Sequence, residues 1–165
     1  LPSPIVIVQH ISLGFVEGLV DWLQGTTLLS IKLAKSGELL KKGTVYFAPD
    51  NTHLLIEYRN HNGDIYAKLS DLAPENGVRP SIDILFRSVA QSCKEKTIGI
   101  LMTGMGCDGA DGLLAIQNAG GHTIVQDEES SIVWGMPGSA MAMGAAKQVV
   151  NLENMPGYIL SLIRR

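Results

Sequence analysis

Short apolar runs alternate with stretches of helical periodicity along most of this chain. Ile5-Val6-Ile7-Val8 is continuous and β-branched, the pattern of a strand covered on both faces as in a parallel sheet, and it ends at Gln9-His10. Beyond it Phe15, Leu19, Trp22 and Leu23 stand at i, i+4, i+7 and i+8, which predicts a helix with one apolar side lying on the sheet and a stop at Gly25. Leu28 to Ala34 and Thr44 to Ala48 read as strands, punctuated by turns at Ser36-Gly37 and Lys41-Lys42-Gly43. His53 to Arg59 and Asp64 to Ser70 read as a hairpin joined through Asn62-Gly63, because Asn-Gly accepts the positive φ of a tight turn.

In the second half, Pro80 is expected to open a helix whose Ile82, Leu85, Phe86, Val89, Ala90 and Cys93 share a face, with Asp83 in the first turn where the helix dipole favours negative charge. Ile98 to Met102 reads as a buried strand, followed by a glycine-rich turn from Gly104 to Gly109 and a helix to about Ala119, ended by Gly120-Gly121. His122 to Val125 is a further strand, Pro137 to Met143 a short helix and Gln148 to Val150 a last strand. Met155, Tyr158, Ile159, Leu162 and Ile163 form a closing amphipathic helix. The alternation predicts an α/β fold: a doubly wound, mostly parallel sheet flanked by helices, with an antiparallel hairpin insertion.

Composition narrows the classes. A chain of 165 residues with 45% hydrophobic content can bury one sizeable core, so a single domain is expected. A net charge of −3 without a basic block gives no nucleic-acid face, and no apolar run is long enough to cross a bilayer. Leu1-Pro2-Ser3-Pro4 has no signal-peptide pattern and reads as cut from something longer. Cys93 and Cys107 lack metal-ligand spacing and suit a reducing compartment, so a cytoplasmic location is expected.

In open α/β sheets function gathers at the carboxyl ends of the parallel strands. His10 follows the first strand and Asp108 lies in the glycine-rich turn, and a histidine held by a carboxylate is the base and orienter pair of a hydrolytic triad. Structural readings stand beside this one: a histidine at a strand end can be a hydrogen-bonded loop residue, and an aspartate ahead of a helix can cap its free amides. Gly104-x-Gly106-x-x-Gly109 between a strand and a helix also fits a dinucleotide-binding fingerprint, with Asp127 near the expected distance. Against that, Asp108 would put a carboxylate where the pyrophosphate must sit.

Five ordered segments carry a family resemblance: Ile5 to His10; Val45-Tyr46-Phe47-Ala48-Pro49 with His53; Arg79-Pro80-Ser81-Ile82-Asp83; Leu101 to Ala110; and Gly135-Met136-Pro137. Together they resemble the catalytic domain of the CheB chemotaxis methylesterases. The resemblance implies one such domain over residues 1–165, His10 as general base, Asp108 as its orienting carboxylate, and the Met105 backbone amide as an oxyanion-hole donor. It implies hydrolysis of glutamyl methyl esters, and deamidation of glutamines, on methyl-accepting chemotaxis receptors, with no metal or organic cofactor and with an N-terminal receiver domain in many members. A non-catalytic receptor-binding module of the same fold is the alternative from another class.

The family places its serine nucleophile in a turn after a strand preceding the segment that begins here, and no residue of this chain matches it. The strand and turn are therefore expected to be missing from residues 1–165. Ser3 precedes its strand, Ser12 follows His10 too closely to approach the imidazole in line, and Cys107 adjoins a carboxylate that disfavours its thiolate. His53 is expected to support the hairpin, His61 and His122 to be solvated, and Arg79 to form an ion pair in preference to a substrate contact.

Overall fold

The structure is a computed structural model and describes residues 1–59 and 63–163. It comprises two units, Leu1–Ser88 and Val89–Arg165.

In the first unit β1 (Ile5–Ile7), β3 (Thr44–Phe47) and β2 (Ser30–Leu33) form a parallel sheet in the order β1-β3-β2. Ile5 lies opposite Val45 and Ile7 opposite Phe47, while Ile31 and Leu33 face the same two residues from the other side. Because strand side chains alternate between faces, these six apolar residues line one surface. Helix α1 (Val16–Gln24) covers it, placing Val16, Leu19, Val20 and Leu23 against them. The helix thus presents the i, i+3, i+4, i+7 stripe starting at Val16, which differs from the stripe expected from Phe15 and Trp22. Those two aromatics are 63% and 66% exposed. Two overlapping apolar stripes occupy α1, and the one carrying branched residues of sheet-matching size is buried.

Strands β4 (His53–Tyr58) and β5 (Ile65–Ser70) pair antiparallel from His53 opposite Ser70 to Tyr58 opposite Ile65. The expected hairpin is therefore present, although its Asn62 and His61 positions lie outside the described residues. Leu39 bridges Tyr66, so the link from β2 to β3 pairs with the hairpin instead of forming a crossover helix. Ser88, on helix α2 (Ile82–Cys93), accepts the Ile56 amide at 2.9 Å. Helix α2 starts two residues later than Pro80: the Ser81 hydroxyl accepts the Ile84 amide, a capping task proline cannot perform. Asp83 is in the first turn, as expected, and also accepts a bond from Asn76.

The second unit holds a parallel sheet of β6 (Ile98–Leu101), β7 (His122–Gln126) and β8 (Gln148–Val150), with β7 central and almost wholly buried. Ile98, Ile100, Ile124 and Val150 face helix α5 (Met155–Ile163) through Met155, Tyr158, Ile159 and Leu162. Helix α3 (Ala110–Asn118) covers the opposite side, where Leu113 and Ile116 approach Gly99 so closely that a Cβ there would lie under 3 Å from both. The short α4 (Met136–Ala142) completes the unit. Helices on both faces of a parallel sheet, plus an antiparallel hairpin, are the expected α/β class.

Candidate active site

His10 sits just past the carboxyl end of β1 and lines a cleft of about 300 Å³ in the first unit. Apolar walls come from Ile11, Leu13, Val16 and Val78, and polar groups from Asp50, Asn51 and Arg79. The Asp50 carboxylate accepts the Gly14 amide at 2.7 Å, tying the loop after β3 to the loop that follows His10. Among the described residues Arg79 lacks the expected ion pair. Its Nε and Nη2 donate to Asn51 Oδ1 at 3.0 and 2.8 Å, and its Nη1 donates to the carbonyls of Asp71 and Leu72, both at 3.1 Å. A planar fork of donors suits this set of neutral oxygens, which the chain brings together from two loops.

His53 explains how the cleft wall stands. It is fully buried, its Nδ1 accepts the Ser81 amide and its Nε2 donates to the Ala73 carbonyl, each at 3.1 Å. This pairing requires the Nε2–H tautomer. The side chain thereby pins the first residue of β4 to both ends of the segment from Ala73 to Ser81, a segment that includes Arg79.

In the second unit Asp108 is 5% exposed in the turn ahead of α3, whose N-cap is Gly109 at φ 94° without a side-chain cap. That φ lies in the left-handed region where a Cβ is disfavoured, so glycine suits the turn. Thr103 and Gly104 hold the loop from below. The Thr103 hydroxyl donates to the Val133 carbonyl and accepts the Val133 amide, and the Gly104 carbonyl accepts the amides of Gly135 and Met136. Gly135 permits this approach, since a Cβ on it would lie 2.7 Å from the Gly104 carbonyl oxygen. Here the loop glycines serve contact between two loops, a use unlike the dinucleotide cradle weighed from the sequence. Asp127, the acid of that fingerprint, instead accepts bonds from the Ser130 hydroxyl and amide and from Asn151. Those bonds, the Ser130 hydroxyl foremost, hold its carboxyl below the usual range.

Met105 projects from this loop, 82% exposed, and its amide donates to no group among the described residues. Gln126, which the sequence reading passed over, anchors the same loop. Only 1% exposed at the end of β7, it accepts the Thr103 amide at 2.9 Å and donates to the Ser130 carbonyl at 2.7 Å, while its own carbonyl accepts Trp134 Nε1. A buried glutamine directly after an apolar strand was the available signal, because such a group must find partners.

His10 and Arg79 therefore share the cleft of the first unit, and Met105 and Asp108 share the loop of the second. Cys107 is exposed beside Asp108, and burial pushes the Cys93 thiol up. Ser3 and Ser12 are exposed and His122 is exposed at the start of β7, whereas His61 lies outside the described residues. Among the described residues no three or more of His, Cys, Asp and Glu gather in a way that could hold a metal ion. No described helix is long and apolar enough to cross a membrane.

A parallel α/β fold with a histidine at one strand end and an aspartate in the loop after another has parts of a hydrolase site. The chain belongs to the CheB methylesterase family, whose model matches residues 1–159. It is 46% identical over 164 residues to the protein-glutamate methylesterase/protein-glutamine glutaminase of group 3 operon from Rhizobium meliloti, covering 99% of this chain and 45% of that protein. It is 43% identical to the protein-glutamate methylesterase FrzG of Myxococcus xanthus, covering 98% of this chain and 47% of the relative. The crystal structure of the Thermotoga maritima CheB methylesterase catalytic domain superposes with a TM-score of 0.93 at 37% identity, covering 98% of this chain and 84% of that one. The chain thus spans about half the length of these two curated relatives.

Proposed function

We propose that these residues form part of the catalytic domain of an enzyme that hydrolyses glutamyl γ-methyl esters, and deamidates glutamines, on chemotaxis receptors. The observation that carries the reading is His10, set at a strand end in a walled cleft, in a chain of this family. A serine outside residues 1–165 attacks the γ-carbonyl carbon while His10 takes its hydroxyl proton. Asp108 serves as the orienting carboxylate of the reaction, the role that fixes the tautomer of the base and stabilises the imidazolium. The free Met105 amide supports its role as a donor to the developing oxyanion, a contribution of about 3 kcal/mol in such sites. His10 then returns the proton to the departing methoxide, or to the amide nitrogen of glutamine, releasing methanol or ammonia. Water attacks the acyl-enzyme by the same route and leaves a glutamate. No step needs a metal or organic cofactor.

The test is methanol release from methylated receptor by the full gene product, by its His10→Ala and Asp108→Asn forms, and by residues 1–165 alone. Loss of roughly 10⁴ in kcat is expected for Asp108→Asn, and no specific turnover for residues 1–165. Full-rate turnover by residues 1–165 would place the nucleophile within them, with Cys107→Ser the next variant. Receptor binding without methanol release by the full gene product would instead make this a non-catalytic module.

A further inference from the structure

Arg79 is held in the wall of the His10 cleft by four bonds to oxygens that carry no formal charge. Carbonyl oxygens orient a guanidinium without neutralising it, and the group does not deprotonate in proteins. Among the described residues Arg79 has no acidic partner, and one Nη2 hydrogen takes part in no bond. Asp50 is the acid in the cleft lining, and its carboxylate is engaged by the Gly14 amide. The cation is therefore fixed in orientation before any ligand arrives, and little rotamer entropy is lost when one binds.

We propose that Arg79 forms an anionic subsite of the His10 cleft, binding a carboxylate that adjoins the side chain to be hydrolysed, so that the enzyme selects glutamyl esters in acidic peptide segments. The selection rests on the hydrolase reading above and adds a recognition group to it. A carboxylate reaching Arg79 gains a charge-assisted bond from the remaining N–H and a Coulomb attraction that the three neutral acceptor oxygens leave intact. The Asp50 charge opposes the same ligand, and its removal should strengthen selection.

The experiment compares two labelled peptides carrying one glutamyl γ-methyl ester, flanked by glutamates in one and by glutamines in the other. Methanol release and fluorescence anisotropy are both measured with the full gene product at low and high salt. The acidic peptide should be favoured about tenfold in kcat/KM at low salt, with the preference shrinking to a few-fold at 0.5 M salt as screening shortens the interaction. Arg79→Gln should abolish the ratio and Arg79→Lys, which keeps the charge but loses the fork that orients it, should keep only part of it, whereas a purely structural Arg79 would lower both peptides alike. Because Arg79 also ties two loops, Asp50→Asn provides a second variant: it keeps an acceptor for the Gly14 amide and should raise the ratio. Equal use of the two peptides, a preference that survives Arg79→Gln, or a ratio that falls in Asp50→Asn overturns the subsite. If neither peptide is hydrolysed but charge-dependent binding persists, the subsite stands and the hydrolase reading falls. If neither is hydrolysed and binding shows no charge dependence, both fall.

Discussion

Replacing His53 by alanine removes the acceptor of the Ser81 amide and the donor to the Ala73 carbonyl in one step. Ser81 and His53 are both fully buried, so water has no ready route to that amide, and its lost bond should cost about 1–3 kcal/mol. Ala73 is exposed, and solvent can replace the imidazole there at a cost of about 1 kcal/mol or less. The vacated ring volume adds about 1–2 kcal/mol, the low end of core truncations because part of the ring's value was polar. The sum is about 4 kcal/mol of local stability, or roughly a thousandfold faster exchange of amides that open with the Ser81 segment. Amide hydrogen exchange followed by mass spectrometry over residues 81–88 reads this directly and does not require the two units to unfold together. His53→Asn retains an oxygen near the Nδ1 position and should recover about half of the loss. An alanine variant whose exchange rises by less than about threefold would show that the segment stands without His53, and the account of the cleft wall would be wrong.

Gln126→Leu should cost about 2 kcal/mol, lower kcat of the full gene product more than it raises KM, and speed exchange of the Thr103 amide, since the buried acceptor of that amide is lost; unchanged exchange at Thr103 would refute the anchoring role. The Glu57 carboxyl is held below its usual range first by the bond from Lys68 and then by Arg59. Its contribution to stability is therefore complete above the unfolded-state value of about 4.3 and fades as pH falls through the lowered folded value. In a carbon-detected NMR titration Lys68→Ala should move the Glu57 midpoint upward more than Arg59→Ala does, and the opposite order would contradict the assigned cause.

Local order was legible in the chain. The β-branched runs at Ile5 to Val8 and Ile98 to Met102, the helical spacing around Leu85 and Val89, and the glycines ending helices each express a 2.0 or 3.6 residue period, which nearest neighbours along the backbone decide. His10 and Asp108 could be marked as candidates for the same reason, because their places after strands follow from that order. The buried stripe of α1 could not be read this way: Phe15-Leu19-Trp22 and Val16-Leu19-Val20-Leu23 satisfy the helical period equally, and only contact with Ile5, Ile31, Val45 and Phe47 selects the second. The partners of polar groups were equally hidden. Arg79 meets Asn51 across 28 positions, His53 meets Ser81 across 28, and Gln126 meets Thr103 across 23. Hydrogen-bond partners at such separations depend on how loops are brought together, so the sequence by itself determined the elements and the candidate catalytic groups, while the tertiary structure alone decided which side chains build the walls that hold them.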